Sequence, residues 1–198
     1  MARTIGILLF DDVEELDFVG PWEVFTSTTK HLFPDDRVVT IAPESRTIRC
    51  AKGLRVLPDF DFAGAPPLDV VLVPGGQGTR REVSNPVLID WLRQVGARCE
   101  WVTSVCTGAL LLHEAGFAKG RRVTTHWAFV ETLRQRGDVT VLADRRWVRD
   151  GNLVTAAGVS AGIDMALWLV GQLRTPELAR KVQRYIQYDP APPYTADV

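Results

Sequence analysis

Cys106 has the sequence context of a reactive thiol. It follows the segment RCEWVTSV, which is typical of a buried strand, and it is followed by Thr107, Gly108 and a leucine-rich helical pattern. A cysteine at such a corner lies beside the amides and the positive dipole end of the next helix, which favour a thiolate. The position therefore indicates a nucleophile. A buried structural cysteine is the alternative, since cysteine is often fully buried.

The segments around Cys106 that must position it are predicted strands and helices, which alternate along the chain. The segments RTIGILLF, RVVTIAP and LDVVLVPGG match buried strands, and helical segments lie between them. This alternation predicts an α/β fold with a mostly parallel sheet and helices on both faces. In such sheets the chemistry collects at the carboxyl ends of the strands. The strand ends at Asp11, Gly76 and Cys106 are therefore candidate site positions.

Turn and cap residues place the boundaries of these elements. Gly20-Pro21 is expected to start or interrupt the helix after the first strand. Hairpins are expected at Lys52-Gly53 and at Asp150-Gly151. Asn85 with Pro86 predicts a helix start, and Gly96 predicts its end.

Composition limits the class of protein. The chain has 198 residues, 46% hydrophobic and 24% charged, which fits one globular domain over 1–198 with a proline-rich, extended tail at 189–198. A net charge of -1 without a basic patch argues against a nucleic-acid partner. No apolar run approaches the roughly 20 residues of a membrane span, and the apolar N-terminal stretch ends too early for a signal peptide. We therefore expect a cytoplasmic protein.

The other cysteines carry no recognisable chemistry. Cys50 and Cys99 lie far from Cys106, with no CxxC motif and no Cys/His pair at zinc-finger spacing. A disulfide framework and a metal site are therefore not expected. Cys50 and Cys99 are interpreted as structural.

Five longer motifs connect these observations. They are LLFDDVEELDFVGPWEVF, VLVPGG, VTSVCTGALLL, TTHW and AAGVSAGIDMAL, and they extend over about Ile5 to Tyr188. Together they resemble the DJ-1/PfpI superfamily, which has the flavodoxin-like, class I glutamine amidotransferase-like fold with a nucleophile elbow. Isonitrile hydratases and the effector domains of AraC-type regulators look most similar. The Cys-Thr pair, the aspartate in ELDFVGP and the terminal YDPAPPY favour the hydratases.

The resemblance implies roles for individual residues. Cys106 matches the elbow cysteine, and Asp17 matches the acidic residue that approaches its sulfur. Gly75 and Gly76 match the turn whose backbone amides line an oxyanion or anion site. Thr107 matches the residue that contributes an amide, and also a hydroxyl, after the nucleophile. The superfamily also implies a homodimer, and no cofactor.

The sequence differs from other branches of the superfamily in ways that reduce the number of candidate functions. PfpI-type proteases carry histidine where this chain has Thr107, and the late histidine of an amidotransferase triad has no counterpart after His126. AraC-type regulators add a DNA-binding domain, for which a chain ending at Val198 leaves no room. We therefore expect an enzyme acting on a small molecule.

Other candidate residues have two interpretations each. His126 follows a predicted strand and is a candidate for orienting substrate or acting as a base, or it is a capping or core histidine. Trp22 and Trp127 are candidates for the wall of an apolar pocket, or they are core aromatics. His113 is interpreted as packing or as a hydrogen-bonding residue. The segment GQGTRRE resembles a phosphate loop only superficially, since it lacks GK[ST].

The resulting hypothesis is hydration of an isonitrile to an N-substituted formamide. The chemistry needs a thiolate that attacks the terminal carbon and an acid that supplies a proton. Cys106 and Asp17 supply this pair, and a carboxyl near a thiolate is expected to hold its proton. A helix cap is the alternative for Asp17. Alternative functions are a glyoxalase or amidase of the same superfamily, or a redox sensor or ligand-binding effector whose Cys106 oxidises.

Overall fold

The computed structural model describes residues 2–190. Residues 191–198, which make up most of the expected tail, lie outside the described residues. Within the described range, no helix is both long and apolar enough to cross a membrane.

Strands and helices alternate along most of the chain. The strands are β1 (Thr4–Leu8), β2 (Arg37–Ala42), β3 (Ile48–Arg49), β4 (Arg55–Val56), β5 (Phe60–Asp61), β6 (Val70–Val73), β7 (Trp101–Val105), β8 (Arg122–Val123), β9 (Thr140–Val141), β10 (Trp147–Asp150) and β11 (Leu153–Ala156). The helices are α1 (Glu15–His31), α2 (Thr79–Glu82), α3 (Pro86–Gly96), α4 (Gly108–Glu114), α5 (Val130–Arg134), α6 (Ala161–Leu173) and α7 (Pro176–Tyr185), with a 3-10 turn at Trp127–Phe129.

Seven strands form the central sheet, in the order β10-β11-β7-β6-β1-β2-β5. All neighbours are parallel except β10 and β11, which form an antiparallel hairpin. The strands β6 and β7 are buried along their whole length, as expected where helices cover both faces of a parallel sheet. Helices α1, α6 and α7 pack together, and α3 packs against α4. The predicted fold class is confirmed.

The register of the central strands assembles the candidate site. Ile7 of β1 lies opposite Leu72 of β6, and Val73 of β6 lies opposite Ser104 of β7. The three strands therefore end side by side. The turn after β6 and the residue after β7 meet near the start of α1.

Most predicted turns are present, with two differences. The hairpin at Lys52-Gly53 joins β3 to β4, and Asn85 caps α3 by accepting from the Val87 amide at 3.1 Å. The β10–β11 turn, however, consists of Gly151-Asn152, because Asp150 still pairs with Leu153. The strands β8 and β9 pair in a separate parallel sheet.

The second difference is at Gly20-Pro21, where the interruption predicted for the first helix is wrong. Helix α1 runs through both residues without a break. A Cβ atom at Gly20 would lie 2.8 Å from Ile163 Cγ1, and Pro21 packs against Gly162. This close packing on α6 stabilises α1 across a proline that local propensity disfavours.

Candidate active site

Cys106 occupies a strained corner between β7 and α4. Its φ of 56° lies in the left-handed region, which costs a non-glycine residue about 1 to 2 kcal/mol. The surroundings hold this conformation, because the Cys106 amide donates to Ala156 O at 3.1 Å and its carbonyl accepts from Thr125 Oγ1 at 2.8 Å. A Cβ atom at Gly108 would lie 2.1 Å from Val73 O. Only glycine therefore lets α4 start so close to β6.

Asp17 is a fully buried carboxyl in the first turn of α1. Its Oδ2 accepts from the Gly75 amide at 2.8 Å, whereas Oδ1 is buried and receives no hydrogen bond of normal geometry from residues 2–190. The pKa of Asp17 is raised to about 7, mainly by burial and also by the negative charge of Glu14. The Gly75 amide, the Cys106 thiol and the Val159 amide act in the opposite direction. The expectation that Asp17 tends to hold its proton agrees with this environment.

The Cys106 thiol does not have the lowered pKa that its position at the start of α4 predicted. Burial raises its pKa to about 12, and the charge of Asp17 adds to this effect. The Thr107 amide and hydroxyl do lower the pKa, but burial and the carboxylate outweigh them. The Asp17 carboxyl and the Cys106 thiol therefore lose one of their two protons near pH 7, and they share the proton that remains.

The turn Gly75-Gly76 and Thr107 position this pair. The Gly76 amide donates to Thr107 Oγ1 at 3.1 Å, and Thr79 Oγ1 donates to the same atom at 3.0 Å. A Cβ atom at Gly75 would lie 2.5 Å from the Thr107 nitrogen, so the turn needs glycine there. The Gly75 and Gly76 amides thus donate to Asp17 and Thr107, and their role in an oxyanion site stays a prediction.

Replacing Thr107 with valine is expected to lower the free energy of unfolding by about 1 to 3 kcal/mol. Valine keeps the shape of the buried side chain but leaves the Gly76 amide without its acceptor. Thr107→Ser keeps the oxygen and serves as the control. Urea unfolding measures both variants, and equal stability of the two would contradict the role of this hydroxyl.

A cleft of about 330 Å³ lies over the corner. Of the predicted site residues, Cys106, Thr107, Gly76 and His126 line it, and Asp17 is buried next to the thiol. Sequence reasoning missed further lining residues, which include Glu14, Lys52, Arg80, Phe129 and Val159. Glu14 and Val159 lie within the recognised motifs, and Arg80 and Phe129 lie a few residues after them. Lys52 carries no local signal, because only the tertiary fold brings it here.

His126 lines the cleft and also caps the 3-10 turn. Its Nδ1 accepts from the Ala128 amide at 3.3 Å, and a Cβ atom at Gly158 would lie 2.7 Å from its Cδ2. The position of His126 at the cleft fits a role toward substrate, and its hydrogen bond to the Ala128 amide fits the capping role.

Neither tryptophan is among the residues that line the cleft, and a pocket-wall role for them stays a prediction. Trp22 is half-buried on α1 and packs against the hydrophobic core. Trp127 is 80% exposed. Trp22 lies on the side of α1 that faces the core, and Trp127 lies on a 3-10 turn that directs it outward.

Three residues that the sequence analysis discussed lie apart from the cleft, namely His113, Cys50 and Cys99. His113 is buried and its Nε2 contacts Asp138 at 2.5 Å, as a packing and hydrogen-bonding role predicts. Cys50 and Cys99 are free and buried, and burial raises their pKa values to about 11 and about 12. Among residues 2–190, no group of three or more histidines, cysteines or acidic residues is placed to hold a metal ion.

The fold and site define a class of protein in which a mostly parallel sheet presents a cysteine at the end of a central strand, next to a buried carboxyl from the first helix. The chain belongs to the DJ-1/PfpI family, whose sequence profile matches residues 3–172.

Relatives of known name cover nearly the whole chain. The chain is 41% identical to the isonitrile hydratase of Pseudomonas putida over 194 residues. The aligned region covers 98% of this chain and 82% of that enzyme. The chain is 27% identical to the HTH-type transcriptional regulator GbdR of Pseudomonas aeruginosa, covering 94% of this chain but 51% of the regulator. A crystal structure of a ThiJ/PfpI family protein from Pseudomonas syringae superposes with a TM-score of 0.90 at 32% identity, covering 100% of this chain and 80% of that one.

Proposed function

We propose that the protein hydrates isonitriles to N-substituted formamides, with Cys106 as nucleophile and Asp17 as general acid and base. The observation that carries the proposal is the buried Asp17 carboxyl, with a pKa of about 7, interacting with the Cys106 thiol at a cleft. The similarity to an isonitrile hydratase over nearly the whole chain supports the substrate class. In this proposal the strained corner at Cys106 is a nucleophile elbow.

The first half of the reaction forms a covalent intermediate. Asp17 accepts the thiol proton while the Cys106 sulfur forms a bond to the terminal carbon of R–N≡C. The carbon then takes this proton from Asp17, which gives the thioimidate R–N=CH–S–Cys106. No group leaves and nothing is oxidised or reduced. The Thr107 amide stabilises the sulfur charge that develops during the transfer.

The second half releases the product. Asp17 accepts a proton from a water molecule whose oxygen attacks the thioimidate carbon, and it passes this proton to the imine nitrogen to give R–NH–CH(OH)–S–Cys106. The carbon–sulfur bond then breaks as the hydroxyl proton of this intermediate passes through Asp17 to the sulfur, and R–NH–CHO leaves. One carboxyl alternating between acid and base is sufficient, which matches a site built around a single buried Asp17.

The test is turnover by the purified protein with n-butyl isonitrile, with methylglyoxal as a second substrate. Formation of N-butylformamide, followed by NMR, is the expected result. Consumption of methylglyoxal without formamide would favour the glyoxalase alternative. Failure of both, together with a stable sulfinate at Cys106 after peroxide, would favour the sensor.

The environment of Cys106 argues against the sensor alternative. Oxidation follows thiolate character and exposure, and this thiol is 7% exposed with a raised pKa. A homodimer, a cytoplasmic location, and the absence of a nucleic-acid partner stay predictions that accompany the proposal.

A further inference from the structure

Arg80 is held in a fixed orientation at the cleft. Its Nη1 donates to Gly76 O at 2.6 Å, and its guanidinium carbon lies 4.2 Å from the centre of the Phe129 ring. One edge and one face of the guanidinium are therefore occupied by the protein. The geometry leaves the remaining N–H groups of a planar, rigid donor set for another partner.

Arg80 differs from the neighbouring basic side chains in its ion pairing. The other cation at the cleft, Lys52, is paired with Glu14. Arg81, the next residue of α2, pairs with Glu82 and Asp12. Among the described residues, Arg80 has no carboxylate within ion-pair distance. The cleft therefore keeps a positive charge beside an apolar ring.

We infer that Arg80 binds a carboxylate on the substituent of the substrate. This inference rests on the proposed function and deepens it, because it names the substrate class as small isonitriles that carry a carboxylate. A guanidinium binds a carboxylate with two parallel hydrogen bonds. Stacking on Phe129 already orders the Arg80 side chain, so binding a carboxylate costs less side-chain mobility. A cleft of about 330 Å³ fits a small substrate of this kind.

The experiment compares isocyanoacetate with its methyl ester, which presents the same isonitrile without the charge. For the unchanged protein we expect kcat/KM for the carboxylate to exceed that for the ester by about tenfold or more, mainly through KM. Arg80→Gln is expected to bring this ratio close to one, and Arg80→Lys to restore part of it. Arg81→Gln removes the same charge from the next residue of α2 and is expected to keep the ratio.

The outcomes separate this inference from the proposed function. Hydration of the ester as fast as the carboxylate, with an unchanged ratio in Arg80→Gln, would overturn the role of Arg80 and leave the hydratase intact. Absence of hydration with both substrates would overturn the hydratase. In that case, calorimetry of N-formylglycine and its methyl ester with Cys106→Ser still tests carboxylate binding. Equal affinity for the two would overturn the inference.

Discussion

Cys106→Ala is expected to lower isonitrile hydration to the uncatalysed rate while the protein stays folded. The variant removes the sulfur that forms the thioimidate, and no other cysteine among residues 2–190 lines the cleft. Alanine tolerates the left-handed backbone about as well as cysteine does, so the free energy of unfolding is expected to change by about 1 kcal/mol or less. Formamide production and urea unfolding measure the two effects.

Cys99→Ala is the matched control. Cys99 is also buried and free, and its sulfur donates to Leu68 O at 3.5 Å, away from the cleft. Its loss is expected to cost stability but to preserve turnover. Steady formamide production by Cys106→Ala would rule out the covalent mechanism.

Asp17→Asn is expected to lower kcat/KM by about 10² to 10⁴-fold, because asparagine neither accepts nor supplies the proton. In the unchanged protein the rate should rise with pH around a midpoint near 7, as the Asp17–Cys106 pair loses its first proton. The remaining activity of the variant should lack this transition. A rate profile with the same midpoint in both proteins would assign the titration to another group.

The same substitution is expected to stabilise the fold at alkaline pH. Folding raises the pKa of Asp17 from 3.8 to about 7, so the folded chain binds this proton more tightly than the unfolded chain does. Stability is therefore lost as the pH rises between these two values. Asparagine avoids this loss. The advantage of the variant should grow by about 2 to 3 kcal/mol between pH 5 and pH 9.

Urea unfolding at the two pH values measures this difference. Asp90→Asn, at an exposed position paired with Arg93, is the control for removing a carboxylate charge elsewhere. Because the comparison is made between two pH values, any fixed cost of packing an amide at position 17 cancels. A constant difference between Asp17→Asn and the unchanged protein would show that Asp17 titrates normally.

Much of the fold was predictable because its signals are local. The buried strands have continuous apolar runs, and their alternation with helices determines which strand ends meet. The end of its strand therefore placed Cys106 at the edge of the sheet, whereas the resemblance to the DJ-1/PfpI superfamily placed Asp17 beside it. Glycines at 75, 76 and 108 were informative for the same reason, since a close backbone approach requires them.

The remaining features depend on contacts between distant segments. Pro21 predicts a break that packing against Gly162 prevents, and the orientation of Trp22 depends on which side of α1 meets the core. The resemblance assigned the amides of the glycine turn to an anion site, and no local pattern shows that they donate to Asp17 and Thr107, 58 and 31 residues away along the chain. The pKa of Cys106 was predicted from the helix alone, without the opposing effects of burial and Asp17.

The cleft is assembled from segments that are separate in the chain. Lys52 comes from the β3–β4 hairpin, Arg80 from α2 and Phe129 from the 3-10 turn, whereas the thiol and the carboxyl come from the β7–α4 corner and α1. Under the proposed mechanism, exchanges in the first three segments redirect substrate preference without touching the groups that make and break bonds. Such a division gives natural selection a way to diversify paralogues by small steps, and it gives protein engineers three short stretches to randomise.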